Sequence, residues 1–425
     1  MISIDRSFQT ADLGDVRVAN RAVVLRHVRL HAPCSRADVA ARTGLNKATV
    51  SSLVGELIEH GLLRETGLTE NRVGRPATML VLDGSRYVGL GLQIGADELV
   101  VVAADLAGAP LLTWRRAFAA ATAGPEETVR ALAALTRRAV TRVAGAGRTV
   151  LGLTVGVPGL VDADGAVPAA PALGWRGVPL AADLRRALRD PGFPVGVDTD
   201  ANLAVSAELR HGPYAGTADL VHLTGGLAVG AGLVSGGRLL RGGRGFAGEI
   251  GHLPVLAGHL PSAAAGLAGP AHSSHSPDGL PCHCGRHGCL AAVAGVDAVV
   301  RRLLPDVASD GPIADYLPEI ERIQALARAG DAPVRDGLAE IGRQLGHAVS
   351  VLVDLLDPEV VVVGGHLAAL APWLLPAARA EIAARTWGLP ATVRIEASEL
   401  GSAASALGGA AAALATVEAG QLPAA

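Results

Sequence analysis

The sequence predicts an α/β protein, and two observations predict it. From Val88 onward, glycine-punctuated runs of β-branched residues alternate with Ala/Leu/Arg-rich helical stretches, the pattern of sheets flanked by helices with ligand-binding loops at the strand ends. Ahead of that body, residues 17–82 hold two short helical segments joined by a glycine turn, then two strand-like runs around a basic loop. The length of 425 residues suggests two to four folded units at about 100–200 residues each. With half the residues hydrophobic and 18% charged, wholesale disorder is excluded.

The first elements are defined by caps and periodicity. Arg17–His31 carries Val18, Ala22, Leu25 and Val28 at the spacing of one helical face, and Pro33 ends it. Ser35-Arg36-Ala37-Asp38 reads as an N-cap with an acid at N3, opening a helix to Arg42. Thr43-Gly44-Leu45 is a tight turn that asks glycine for a positive φ. Asn46 caps a further helix to about His60 with Val50, Leu53 and Leu57 inward, and Gly61 stops it. Leu62–Glu65 and Ala77–Leu82 read as strands, leaving Thr66–Pro76 with Arg72 and Arg75 as a wing. Two helices and a glycine turn form a helix-turn-helix, whose second helix fits the DNA major groove. On that helix Asn46, Lys47, Thr49, Ser51 and Ser52 are small or polar enough to approach bases and phosphates, and arginines on the wing suit phosphate or minor-groove contact. The same pattern also serves in plain helical hairpins and protein-docking modules.

Charge points the same way. Residues 1–82 hold 11 Arg and Lys against 8 Asp and Glu, and the rest holds 26 against 32, so a basic head sits on an acidic body. Lys47 is the only lysine. Four cysteines, three of them between Cys282 and Cys289, do not make a secreted disulfide framework. Asp5, Arg6 and Asp12 precede any apolar run, so no signal peptide is evident. The mild stretches at 220–237 and 401–417 owe their low charge to alanine and are interrupted by Gly, Ser, Thr or His, so neither reads as a membrane span. The expectation is a cytoplasmic protein with no membrane partner.

In the body, Val88–Ile94 and Leu99–Asp105 read as a hairpin, Thr128–Val143 as an amphipathic helix and Val150–Val157 as a buried strand ending at Pro158-Gly159. Val195–Val197 leads into Asp198-Thr199-Asp200-Ala201-Asn202, which opens a helix through Arg210. Leu220–Leu223 and Ala228–Val234 form a second hairpin, Gly342–Leu356 a long helix, and Val360–Val363 a strand closing on Gly364-Gly365.

Four segments within this body, Gly156-Val157-Pro158-Gly159-Leu160-Val161-Asp162, Asp200-Ala201-Asn202, Gly248-Glu249-Ile250-Gly251-His252 and Cys282-His283-Cys284-Gly285-Arg286-His287-Gly288-Cys289, occur in the order seen in the ROK family of repressors, open reading frames and kinases. Arg36–Gly61 and Gly74-Arg75-Pro76 resemble the DNA-binding unit of that family's regulators. The resemblance implies a two-lobed, actin-like sugar kinase fold behind the winged helix-turn-helix. It divides the chain into a DNA-binding unit at 17–82, a first lobe at 86–199 and a second lobe at 200–415, whose last helix returns to the first lobe. It also implies assembly as a homodimer or homotetramer.

Cys-x-Cys-x4-Cys places three soft thiolates in one tight loop, and a histidine would complete a tetrahedral, structural zinc site. The resemblance assigns that ligand to His252, giving His252, Cys282, Cys284 and Cys289. His283 and His287 are nearer but strained by adjacency, and the insert-like stretch 260–277 adds His272 and His275 as open alternatives. Reduced cysteines that merely pack are the plainer reading.

In the kinases of this family, the aspartate of Asp-Ala-Asn is the base for the sugar hydroxyl, the position of Asp200 here. The phosphate loop Asp-x-Gly-x-Thr reads Gln93-Ile94-Gly95-Ala96-Asp97, which removes the carboxylate and the hydroxyl and places a negative charge among phosphate oxygens. The second loop, Thr-Gly-x-Gly, reads Thr224-Gly225-Gly226-Leu227-Ala228-Val229-Gly230. No ATP use, and no catalysis at Asp200, is therefore expected. Of the family's sugar contacts, Asp200, Glu249 and His252 keep their polar groups, whereas Thr199, Ala172 and Ala291 replace longer ones. The expected protein is a non-catalytic regulator, a repressor of carbohydrate-related genes, that binds a double-stranded operator and a sugar-type effector. A sugar kinase with an accessory head, and a DNA-binding protein controlled by partner docking, are the alternatives.

Overall fold

The computed structural model describes residues 13–68, 78–255, 280–307, 313, 315–385 and 393–423. The N-terminal unit comprises α1 (Leu13–His31), β1 (Cys34–Ser35), α2 (Arg36–Thr43), α3 (Lys47–Glu59), β2 (Leu63–Leu68) and β3 (Thr78–Leu82), with the strands ordered β1-β3-β2. Its turns follow from side-chain caps. Ser35 Oγ accepts the Asp38 N–H while Asp38 accepts the Ser35 N–H, Gly44 takes φ +76°, and Asn46 Oδ1 accepts the Thr49 N–H at 2.8 Å. On α1 the buried face is Val24, Leu25 and Val28 with Arg21, while Val18 and Ala22 lie half-buried at its margin. The wing residues 69–77, including Arg72 and Arg75, lie outside the described residues, as do 256–279 with His272 and His275.

The body begins with β4 (Tyr87–Ile94), β5 (Glu98–Asp105), β6 (Pro110–Ala117), α4 (Ala120–Ala144), β7 (Thr149–Val157), β8 (Val167–Ala170), β9 (Trp175–Val178), α5 (Leu180–Leu188) and β10 (Val195–Thr199). It continues through α6 (Asp200–His211), β11 (Leu220–Gly225), β12 (Val229–Ser235), β13 (Arg238–Leu239), α7 (Ala291–Ala294), α8 (Val296–Leu303), α9 (Leu317–Ala329), α10 (Ala332–Leu356), β14 (Val360–Gly365), α11 (His366–Ala369), α12 (Ala371–Arg385), β15 (Arg394–Ala397), α13 (Ala404–Ala412) and α14 (Ala415–Glu418). Two five-stranded sheets result, ordered β10-β7-β4-β5-β6 and β15-β14-β11-β12-β13. The same order recurs: an antiparallel three-strand meander followed by two parallel strands reached by helical crossovers.

Three differences from the sequence reading have physical reasons. The edge strand β6 is mostly solvent-exposed, and its alternation is limited to Leu112 and Trp114, which pack half-buried on the core, too short a signal to read as a strand. In α4 the helix starts at Ala120, ahead of Thr128, with a kink where Gly124 (φ +77°) precedes Pro125. In α10 the helix starts ten residues before Gly342, at Ala332, because Asp331 caps the Val334 N–H and Pro333 sits in the first turn, where its missing N–H costs nothing.

The C-terminal helices knit these parts together. α13 lies on the first sheet at backbone contact, since a Cβ on Gly91 would come 1.8 Å from the Ala406 carbonyl oxygen. Beyond it, Leu414 and Val417 are buried in the same apolar cluster as Val24, Leu25, Val28, Leu53, Leu57 and Leu80 of the N-terminal unit. The last residues of the chain thus complete the core of its first domain.

Candidate functional site

Between the lobes, β7, β10 and the start of α6 meet the 3-10 turn Ile250–His252 and the cysteine loop, enclosing a cavity of about 300 Å³. Asp200, Glu249 and His252 line it together, along with Thr199, Ala172 and Ala291. Asp200 opens α6, with Thr199 as N-cap accepting the Asn202 N–H. Burial, only partly offset by the Ala201 N–H and reinforced by Glu249, pushes the Asp200 carboxyl up to about 7. Burial also raises Glu249. A carboxyl titrating near neutrality both donates to and accepts from a hydroxyl, which suits a polyol better than an anion.

His252 joins the cavity to the cysteines. Its Nδ1 lies 3.8 Å from Cys282 Sγ and its Nε2 3.7 Å from Glu249 Oε2. Cys284 Sγ and Cys289 Sγ are 3.8 Å apart, and the four ligand atoms lie within 4.8 Å of one another. Tetrahedral zinc with Zn–S near 2.3 Å requires sulfurs about 3.8 Å apart, so the donor set fits that ion in both chemistry and spacing. The Arg286 guanidinium bonds Cys284 and, against the effect of burial, brings that thiol down to about 7. Arg286 and His283 also line the cavity. Sequence reading did not single out this Arg286 contact, although the residue lies inside the cysteine motif.

A second cleft of about 750 Å³ adjoins the first, with Asp200 and Pro158 on the boundary, and is lined by Gln93–Glu98, Thr224–Leu227, Asp315, Tyr316 and Gly365. Asp97 lines this cleft, and its Oδ2 accepts the Tyr316 N–H at 2.6 Å; burial raises its pKa. Gln93 Oε1 accepts the Ala406 N–H at 3.3 Å. His222 and His366, which also line the cleft, are held neutral by burial, each down to about 4. At the end of β10, Asp198 is gripped by Arg241 with two bonds of 3.1 and 2.6 Å, a pair that spacing along the chain does not reveal.

On the helix-turn-helix, Asn46, Lys47, Ser51 and Ser52 are exposed on one face of α3, and Ala48 and Gly55, missed in the sequence reading, extend that face. Their periodicity is the signal that would have found them. Thr49 is half-buried, and Asn46 is engaged as the cap.

Comparison with known proteins agrees with this geometry. Residues 89–416 match the ROK family and residues 19–71 the MarR family. The xylose repressor of Caldicellulosiruptor bescii is 28% identical over 354 residues, covering 81% of this chain and 82% of that protein. A crystal structure of a ROK family transcriptional regulator, a homolog of the E. coli MLC protein, superposes with a TM-score of 0.74 at 25% identity, covering 96% of this chain and 98% of the other. The ROK family glucokinase from Streptomyces griseus superposes with a TM-score of 0.60 at 28% identity over 76% of this chain and 98% of its own. Only the regulator extends over the helix-turn-helix as well as the kinase-like body among these two structures. The chain belongs to the ROK family, among its DNA-binding transcriptional regulators, as a non-catalytic relative of the sugar kinases.

Proposed function

We propose that this regulator represses sugar-related genes from the cytoplasm, and that a sugar-type effector bound in the cavity at Asp200, Glu249 and His252 controls its hold on the operator. The observation that carries this reading is the convergence of those three polar side chains on one interlobe cavity at the start of α6. Glu249 and Asp200 accept hydrogen bonds from adjacent hydroxyls, and His252 Nε2 offers a third contact. With Ala172, Thr199 and Ala291 in place of longer polar groups, the cavity favours a bulkier or differently substituted sugar over glucose. Arg286 at its margin adds positive charge, which softens the repulsion two carboxyls would exert on an acidic substituent.

His252, Cys282, Cys284 and Cys289 would hold a structural zinc, and four protein ligands leave no open position on it. Zinc there would cross-link the 3-10 turn to the cysteine loop. The imidazole would then be fixed with Nδ1 toward the metal and Nε2 toward the cavity. A homodimer or homotetramer would present paired α3 helices to a roughly palindromic operator, with Lys47, Ser51 and Ser52 at the groove and Arg72 and Arg75 on the wing. Closure of the lobes around the effector would change the spacing of those helices.

Calorimetric titration of glucose, N-acetylated hexosamines, pentoses and disaccharides, paired with operator binding at each, tests the reading. A ligand that binds in wild type, fails in Glu249→Ala and shifts operator affinity supports it. Turnover of ATP with any of these sugars would instead support a kinase.

A further inference from the structure

Three charged side chains from three parts of the fold meet at the joint between the DNA-binding unit and the body. Glu418 Oε2, in α14, accepts from Arg29 Nη1 of α1 at 3.1 Å and from Arg210 Nη1 of α6 at 2.9 Å, and Glu418 Oε1 faces Arg210 Nη2. The side chains of Arg210, Glu418 and Arg29 are 13%, 24% and 32% exposed, so solvent screens them less than a surface pair.

The charges come from three helices, α1 of the DNA-binding unit, α14 packed against it, and α6 of the body. The segment bearing Glu418 packs on the DNA-binding unit, in a cluster that also takes in Tyr87 and Leu106 of the first sheet. Leu414 and Val417 are buried in that unit's core, Arg21 Nε donates to the Gly420 carbonyl at 2.7 Å, and a Cβ on Gly420 would come 2.0 Å from the Val18 carbonyl oxygen. Arg210 travels with α6. That helix is gripped on two sides at backbone contact, because a Cβ on Gly408 would lie 1.8 Å from the Leu203 carbonyl oxygen and one on Gly232 would lie 2.2 Å from that of Ala201. So held, α6 has little freedom to bend and moves as one rod. Ten residues, about 15 Å at 1.5 Å per residue, separate Arg210 from Asp200 in the cavity.

We propose that Glu418 is a positioning residue for the regulator. Its ion pair with Arg210 sets the DNA-binding unit against α6, and through α6 it reports the state of the cavity at Asp200. This rests on the effector reading above for its biological use, but not for its test. Arg29 keeps the carboxylate on the DNA-binding side, so a shift of α6 is felt at α1 rather than dissipated in the tail.

The test is a double-substitution cycle in the full-length protein, read by backbone hydrogen–deuterium exchange at residues 21–29 and 414–420. Glu418→Gln is expected to speed exchange there on the order of fivefold, and Asp200→Asn to change it at least about twofold in the wild-type background. In the double variant, Asp200→Asn is expected to add nothing. Independent, multiplicative effects, or no response to Asp200→Asn at all, overturn the proposal, since a merely structural Glu418 would leave the two sites additive. If Glu418→Gln does not fold, Arg210→Gln breaks the same pair from the other side. Selection of a duplex by the wild-type protein is measured separately. Its failure would sink the regulator reading while the exchange cycle still decides the role of Glu418.

Discussion

Asp97 at the tip of the β4–β5 hairpin accepts the backbone N–H of Tyr316 at 2.6 Å, tying the first lobe to the residue that precedes α9 in the second. The acid thus occupies the region in which a kinase of this fold cradles phosphate, and it brings a negative charge there together with Asp315. The side chain that departs from the kinase phosphate-loop pattern thus serves as a lobe-to-lobe tether.

The wild-type protein should accordingly show no ATP-dependent thermal shift and no sugar phosphorylation. Gln93→Asp with Asp97→Thr restores the Asp-x-Gly-x-Thr pattern and should gain a measurable ATP-dependent shift of a few degrees, without rapid turnover because Leu227 still interrupts the second loop. Differential scanning fluorimetry with and without Mg-ATP reads it.

Asp200 has a folded-state pKa of about 7, above its unfolded value, so the folded state binds the proton more tightly. Its contribution is favourable below about pH 4 and is lost as pH rises through 7. Asp200→Asn should therefore be more stable than wild type at pH 8, by on the order of 1–2 kcal/mol or more, and the difference should shrink steadily as pH falls toward 4. Melting curves from pH 4.5 to 8.5 check it, and a constant offset across that range would contradict the assignment.

Metal analysis of the wild type should return about one zinc per chain. Cys284→Ser removes a ligand held 3.8 Å from Cys289 Sγ and should lose most of the metal and on the order of 5–10 °C in Tm. Full retention of zinc would show that the four residues do not form the site.

Lys47 stands exposed at the first turn of α3, where its charge would meet a phosphate of bound DNA. Lys47→Ala should weaken operator binding several-fold and reduce the salt slope by about 1, uniformly across sequences. Exposed Ser51 and Ser52 lie further along the same face, so substitutions there should change which bases are preferred. Fluorescence anisotropy against a set of single-base variants, at several salt concentrations, separates the two effects.

Local chemistry made much of this protein legible from its sequence alone. Ser35 with Asp38, Gly44 and Asn46 specify the helix-turn-helix because caps and left-handed turns are satisfied within a few residues. The alternation after Val88 pointed to the α/β class, and the Cys-x-Cys-x4-Cys spacing pointed to a loop that gathers three thiols, again because the relevant atoms are close along the chain. What pairs with what across long separations was decided only by tertiary structure. Asp97 meets Tyr316, Arg241 grips Asp198, and Glu418 joins Arg29 to Arg210 across separations of 219, 43, 389 and 208 residues. No periodicity encodes such contacts, because they depend on where two folded bodies come to rest. The same holds for Leu414 and Val417: the last helix was expected against the first lobe, but only the fold shows α13 crossing the first sheet and delivering these two side chains to the core of the N-terminal unit.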